Sequence, residues 1–174
     1  MIMALNLQES FPTSGLDAQT IFHLQRLVLL NDQSRDAYQV AANLATNPEL
    51  LGLADQAVQE RQAQAATLQN ILWCNGTSSR VQDRRETEID RRIYRVLSES
   101  PAELSETLID ELLKIEEVIG SCYENVRNLI QGRGLRQLLT EQALRIQRAQ
   151  HNLLSLRQEI RQTDAVDTGK NNLL

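Results

Sequence analysis

Two glutamates, Glu60 and Glu116, stand inside otherwise apolar stripes on helix-forming segments. Carboxylates that project inward from four packed helices are the raw material of a carboxylate-bridged di-metal centre. Such a centre takes a Glu from each of two helices and a Glu-x-x-His from each of the other two. The i, i+3 spacing matters because it places both ligands on one face of a helix. In this chain the histidine half of that pattern is missing. Glu60 is followed three residues later by Ala63, and the two histidines, His23 and His151, fall elsewhere. The residue types approach a metal-binding arrangement without supplying its donors.

The elements that would position these residues are legible from periodicity. A first helix is expected from about residue 16 to Ala45, with Thr20, Leu24, Leu27, Asn31, Ser34, Tyr38, Ala41 and Ala45 on one face. Asn47-Pro48 reads as a cap and first-turn proline that restart the helix. The second helix then runs to about Trp73, with Leu50, Leu53, Ala57, Glu60, Gln64, Leu68 and Ile71 inward, and Asn75-Gly76 ends it. A short amphipathic helix is expected between about Val81 and Ser98. Ser100-Pro101-Ala102-Glu103 reads as a capping box for a third long helix, with Ser105 as an alternative cap. That helix carries Ile109, Leu112, Glu116, Ile119, Tyr123, Val126 and Ile130 on one face. Gly132 and Gly134 flank Arg133 in a turn, and a fourth long helix runs to Arg161 with Leu135, Leu138, Gln142, Ile146, Ala149, Leu153, Leu156 and Ile160 inward.

This order predicts one all-α domain over residues 16–162, a ferritin-like antiparallel four-helix bundle. It comprises a first hairpin at 16–74, a crossover with a short helix at 75–99 and a second hairpin at 100–162. Residues 1–15 and 163–174 read as flexible ends. The third long segment is acid-rich and the fourth carries six arginines from Arg133 to Arg161, so the two suit each other as neighbours.

The stretch LNDQSRDAYQVAANLATNPELLGLADQAVQERQAQAATLQ resembles the first hairpin of the bacterial family called domain of unknown function 2383, within the ferritin-like superfamily. DELLKIEEVIGSCYENV and LLTEQALRIQRAQHNLLSLR are similar to its second hairpin, including Glu116-Glu117 and the Tyr123 that follows. The resemblance covers about residues 20 to 160 and implies the fold but no activity. Aligned on a ferritin-like ligand pattern, the first-helix glutamate position falls at Asn31. The second-helix motif reads Glu60 to Ala63, Glu116 stands at the third-helix position, and the fourth reads Gln147-Arg-Ala-Gln150.

Two carboxylates without an inward imidazole do not make an ordinary di-iron or di-manganese site. No metal, cofactor or catalytic residue is therefore expected, and Glu60 and Glu116 read as remnants of a metal site. The expected arrangement is a hydrogen-bonded interior layer of Asn31, Tyr38, Glu60, Gln64, Glu116, Gln142 and Gln150. Arg61 and Tyr38 are candidate partners for a carboxylate that would be costly to bury alone.

Other groups read as structural. His23 lies at the rim of its stripe, and His151 points away from the core. Cys74 and Cys122 are too few for a disulfide framework and have no neighbouring base. The net charge of −5 argues against a general nucleic-acid binder. The run Arg84, Arg85, Arg91, Arg92, Arg95 alternates with acids and reads as a solvated face. Residues 1–15 lack the basic and apolar regions of a signal peptide, and no uncharged stretch reaches the ~18 residues of a membrane span. A cytoplasmic setting follows as the expectation.

The function expected from these residues is non-enzymatic, through a homodimer or a protein partner held on outward leucines such as Leu29, Leu44, Leu51, Leu144 and Leu154. The alternative is a metal-binding or stress-related protein using Glu60 and Glu116. An arginine-mediated binding module is a third reading.

Overall fold

The computed structural model describes residues 15–79, 88–97 and 104–171. They form five helices: α1 (Ala18–Leu44), α2 (Pro48–Cys74), α3 (Glu88–Leu97), α4 (Leu104–Leu129) and α5 (Arg133–Asn171). No strand occurs among the described residues.

Local chemistry sets the boundaries. The Asp17 carboxylate accepts the Thr20 amide at 2.6 Å and starts α1. Asn47 Oδ1 accepts from the amides of Glu49 and Leu50 at 2.8 and 3.1 Å, with Pro48 in the first turn. At the far end of α2, Gly76 takes φ +70°. Its amide returns to Trp73 O at 2.9 Å, and the Thr77 amide returns to Leu72 O at 3.0 Å. This is a Schellman closure, and among the described residues its left-handed position is the one that needs a glycine for conformation. Between α4 and α5 the Arg136 guanidinium donates twice to Ile130 O, at 3.1 and 2.7 Å, and so ties the turn. The turn is shorter than the two glycines suggest, because α5 already begins at Arg133 and Gly134 lies in its first turn.

One other boundary differs from expectation. The backbone of α5 continues to Asn171, through most of the segment read as a tail. No proline interrupts residues 162–171, and residues such as Thr and Asp lower helix propensity by less than about 1 kcal/mol each. Of the expected crossover helix, the described part is Glu88–Leu97. The first fourteen residues, residues 80–87, the capping box at Ser100 to Glu103 and residues 172–174 lie outside the described residues.

The long helices pack in a closed order, α1 beside α2 and α4, and α5 beside both α4 and α2. Neighbours run antiparallel. The Leu16 amide donates to Asn75 Oδ1 at 3.3 Å, which puts the start of α1 at the end of α2. Arg157 pairs with Asp110 at 2.9 Å and Arg161 with Glu106 at 2.7 Å, which puts the late turns of α5 against the early turns of α4. These pairs join the acidic and basic helices of the second hairpin. α2 and α4 therefore lie across a diagonal and run the same way. The chain between them must travel the length of the assembly, and α3, against α1 and α4 only, lies on that path.

The core is a single cluster drawn from all five helices. It includes Leu24, Leu27 and Ala41 of α1, Leu50, Leu68 and Leu72 of α2, Ile89 of α3, Ile109, Ile119 and Val126 of α4, and Leu139, Ile146 and Leu156 of α5. Every residue of the expected α4 face, from Ile109 to Ile130, is buried. On α2 the inward positions are Leu50, Ala54, Ala57, Arg61, Gln64, Leu68 and Ile71. Leu53 and Glu60 sit one residue off that line and are half-buried. Both series obey spacings of three and four. Reading the larger Leu53 as inward in place of Ala54 turns the middle of the helix by one residue.

Candidate functional site

Halfway along the four long helices the apolar core is interrupted by a connected set of buried polar side chains. α1 contributes Asn31, Ser34 and Tyr38, α2 contributes Arg61 and Gln64, α4 contributes Glu116 and Tyr123, and α5 contributes Gln142. All lie on the inward faces that periodicity assigns to their helices, Arg61 excepted. Arginine reaches the inward face of α2 because the positions before it, Ala54 and Ala57, are small. Its long side chain then spans the diagonal to α4.

Arg61 and Glu116 are both fully buried and pair through Nη2 and Oε2 at 2.5 Å. The other Glu116 oxygen accepts from the Tyr38 hydroxyl at 2.7 Å. Arg61 also donates through Nε to Ser34 Oγ at 3.2 Å and through Nη1 to Gln64 Oε1 at 2.8 Å. Gln64 Nε2 passes the chain to Gln142 O at 3.1 Å. A second arm runs from Asn31 Nδ2 to Tyr123 Oη at 2.7 Å, and from that hydroxyl to Gln142 Oε1 at 2.8 Å. Asn31 Nδ2 also donates to Leu27 O. The two arms meet on Gln142, so one network ties all four long helices.

The charges in this layer answer one another. Burial opposes the Arg61 charge, but the Glu116 charge more than compensates and holds the guanidinium above its ordinary value. Burial, then the Glu116 charge, pushes the Tyr38 hydroxyl well up, and burial does the same to Tyr123. Both phenols are therefore neutral donors. A buried carboxylate left alone would be strongly destabilising; here one cation and one hydroxyl satisfy its two oxygens.

Of the residues expected in an interior layer, the fold brings together Asn31, Tyr38, Gln64, Glu116 and Gln142. Glu60 and Gln150 stay outside. Glu60 is half-buried at the rim and accepts from Gln56 Nε2 at 3.0 Å. Gln150 is half-buried and lines, with Glu116 and Gln147, a depression of about 150 Å³ on the α4–α5 seam. The two glutamates thus do not converge. Arg61, foreseen only as a partner, occupies the centre, and Ser34 and Tyr123 join it. Their places on the α1 and α4 stripes were the available signal. A second buried carboxylate, Glu111, gave none beyond its spacing from Leu108 and Ile115.

A ferritin-like di-metal centre does not fit these residues. Its carboxylate positions offer one inward glutamate whose charge an arginine already balances, a rim glutamate at Glu60, and amides at Asn31 and Gln147. Among the described residues no group of three or more His, Cys, Asp and Glu is placed to hold a metal ion. His151 is exposed, and His23 is half-buried with its ring edge-on to Phe22 at 5.7 Å. His23 and Cys122 line one open groove of about 510 Å³ with Arg26 and Lys114. Burial raises the Cys122 thiol, the reverse of what a nucleophile needs. Cys74 is exposed. Arg92 and Arg95 of the arginine run are drawn onto Glu111.

Outside the layer, Leu51 and Leu144 are exposed, whereas Leu29, Leu44 and Leu154 are half-buried. Three other exposed apolar residues, Phe22, Trp73 and Leu129, lie toward the end where α1 begins and α2 and α4 finish. Trp73 is 78% exposed. No described helix is long and apolar enough to cross a membrane. In comparisons with known proteins, no family model, no curated protein and no solved structure matches this chain.

Proposed function

We propose that the chain is a ferritin-like antiparallel four-helix bundle, akin to the domain of unknown function 2383 family, in which an internal ion pair stands where such bundles carry metal. It acts by association, through a second copy or another protein, and not as an enzyme. The observation that carries this reading is the Arg61–Glu116 pair, buried at mid-height and satisfied on both sides. A guanidinium there supplies the positive charge that a metal ion would otherwise bring, and it fixes the register of four helices without chemistry. The closed packing order, with α2 and α4 parallel across the diagonal, supports the ferritin-like topology. The exposed Trp73, Phe22 and Leu129 support association, since exposed apolar clusters mark interaction surfaces.

Metal analysis of protein purified without chelator tests the first part. The expected result is no stoichiometric transition metal. About two iron or manganese ions per chain, lost on Glu116→Ala and Glu60→Ala, would establish the metal-binding alternative. Sedimentation at several concentrations tests the second part. Trp73, the only tryptophan in the chain, should shift its emission to the blue as a complex forms. A monomer at every concentration with no shift against candidate partners would leave the association reading without support.

A further inference from the structure

The α1–α4 seam carries a second buried set, on the flank away from the polar layer. Leu30, Gln33 and Ala37 of α1 and Leu108, Glu111 and Ile115 of α4 repeat at spacings of three and four, rotated to one side of the core stripes. α3 lies over this seam. Ile89 is fully buried, and Ile93, partly buried against the core, lines a small cleft with Ala37, Val40, Leu108, Leu112 and Ile115. Asp90 accepts from Gln33 Nε2 at 2.9 Å. Arg92 and Arg95 reach Glu111 at 2.9 and 3.3 Å, and Lys114 joins from α4 at 2.8 Å.

A helix of ten residues does not hold itself in water, where isolated helices below ~12–15 residues are marginal. α3 is therefore helical because the seam receives it. The converse does not hold. α1 packs on α2 and α4, and α5 on α2 and α4, through contacts in which α3 has no part. Part of the grip on α3 is ionic, through Arg92 and the 59% exposed Arg95 on Glu111, and salt screens that part. One buried acceptor in the seam, Gln33 Oε1, has no hydrogen-bond partner among the described residues. Opening would give that oxygen to water, which lowers the cost of opening.

We propose that α3 is a reversible strap: its docked helix opens from the α1–α4 groove while the four long helices stay packed, with Glu111 as the latch. The closed state is a helix-in-groove contact made within the chain. Opening uncovers an apolar groove bearing one amide and one carboxylate, a surface cut for an amphipathic helix with two apolar residues four apart and a following arginine.

Hydrogen exchange of the full chain under native conditions tests this. The amides of α3 should exchange at least about tenfold faster than those at the centres of α1 and α4, as expected of a unit that opens on its own. Raising salt from ~0.05 to ~1 M should speed α3 several-fold and leave α2 and α5 unchanged. Glu111→Gln should accelerate α3 selectively, and Arg92→Gln, a rim change that leaves the core intact, should do so more weakly. Exchange of α3 as slow as that of the α1 and α4 centres would overturn the proposal. So would either variant accelerating all five helices together, because α3 would then be part of the core.

Discussion

Glu116 and Glu111 stand five residues apart on α4, both buried, both paired with arginine, and they solve the same problem in opposite ways. Glu116 faces the middle of the core, where its cation is as buried as itself and its second oxygen is held by Tyr38. Glu111 faces the flank, 5% exposed in its side chain, under three cations that are themselves partly in water. The core pair is held by geometry and little screened. The flank cluster is held by numbers, and salt and acid reach it. The difference shows that burial of the carboxylate alone does not say what a pair does: the exposure of its partner decides whether it is a fixture or a latch.

The largest effect should come from breaking the core pair on one side. Arg61→Met leaves Glu116 buried against Tyr38 alone and should cost about 3–5 kcal/mol of stability, read by denaturant unfolding, because an uncompensated buried charge remains. Glu111→Gln should cost less, about 1–2 kcal/mol, since the amide still accepts hydrogen bonds and water screens its partners. If the two costs come out equal, the contrast between core and flank fails.

Tyr38→Phe removes one hydrogen bond from Glu116 and should cost about 1–2 kcal/mol. The pH dependence reads the flank carboxylate and the core phenols separately. Burial raises Glu111, but Lys114 and Arg92 more than offset it and hold its carboxyl below the ordinary value. Its contribution is therefore present above that ordinary value and lost as pH falls through the depressed one, so acid should loosen α3. Tyr38 and Tyr123 are raised by burial. Their contribution is complete below the ordinary phenol value and lost as pH rises through the raised ones, so alkali should melt the four long helices as a unit. Circular dichroism for the whole and exchange for α3 distinguish the two. Smallest of all, Arg157→Gln, on a pair 28% and 39% exposed, should change stability by no more than about 0.5 kcal/mol.

Much of this was readable from the sequence, and the misses have physical causes. The cap at Asn47, the glycine closure at Gly76 and the whole inward face of α4 follow from local chemistry and period. Glu116, Asn31, Tyr38 and Gln142 come to one level because four such faces must share a core. Glu60 misled because Leu53 and Ala54 offer two stripes one residue apart. Hydrophobicity prefers the leucine, while packing put the alanine inward and carried Arg61 with it. Glu111 and Gln33 were hidden for another reason. Their burial depends on α3, and a pattern that defines one face per helix does not announce a second neighbour on the flank.

The most direct test is a double-mutant cycle on Arg61 and Glu116, measured by denaturant unfolding of Arg61→Met, Glu116→Leu and the pair together. If the core pair is mutually compensating, each single change should be costly and the double variant should lose far less than the sum, with a coupling of about 2 kcal/mol or more. Additive losses, with no coupling between the two sites, would contradict the account.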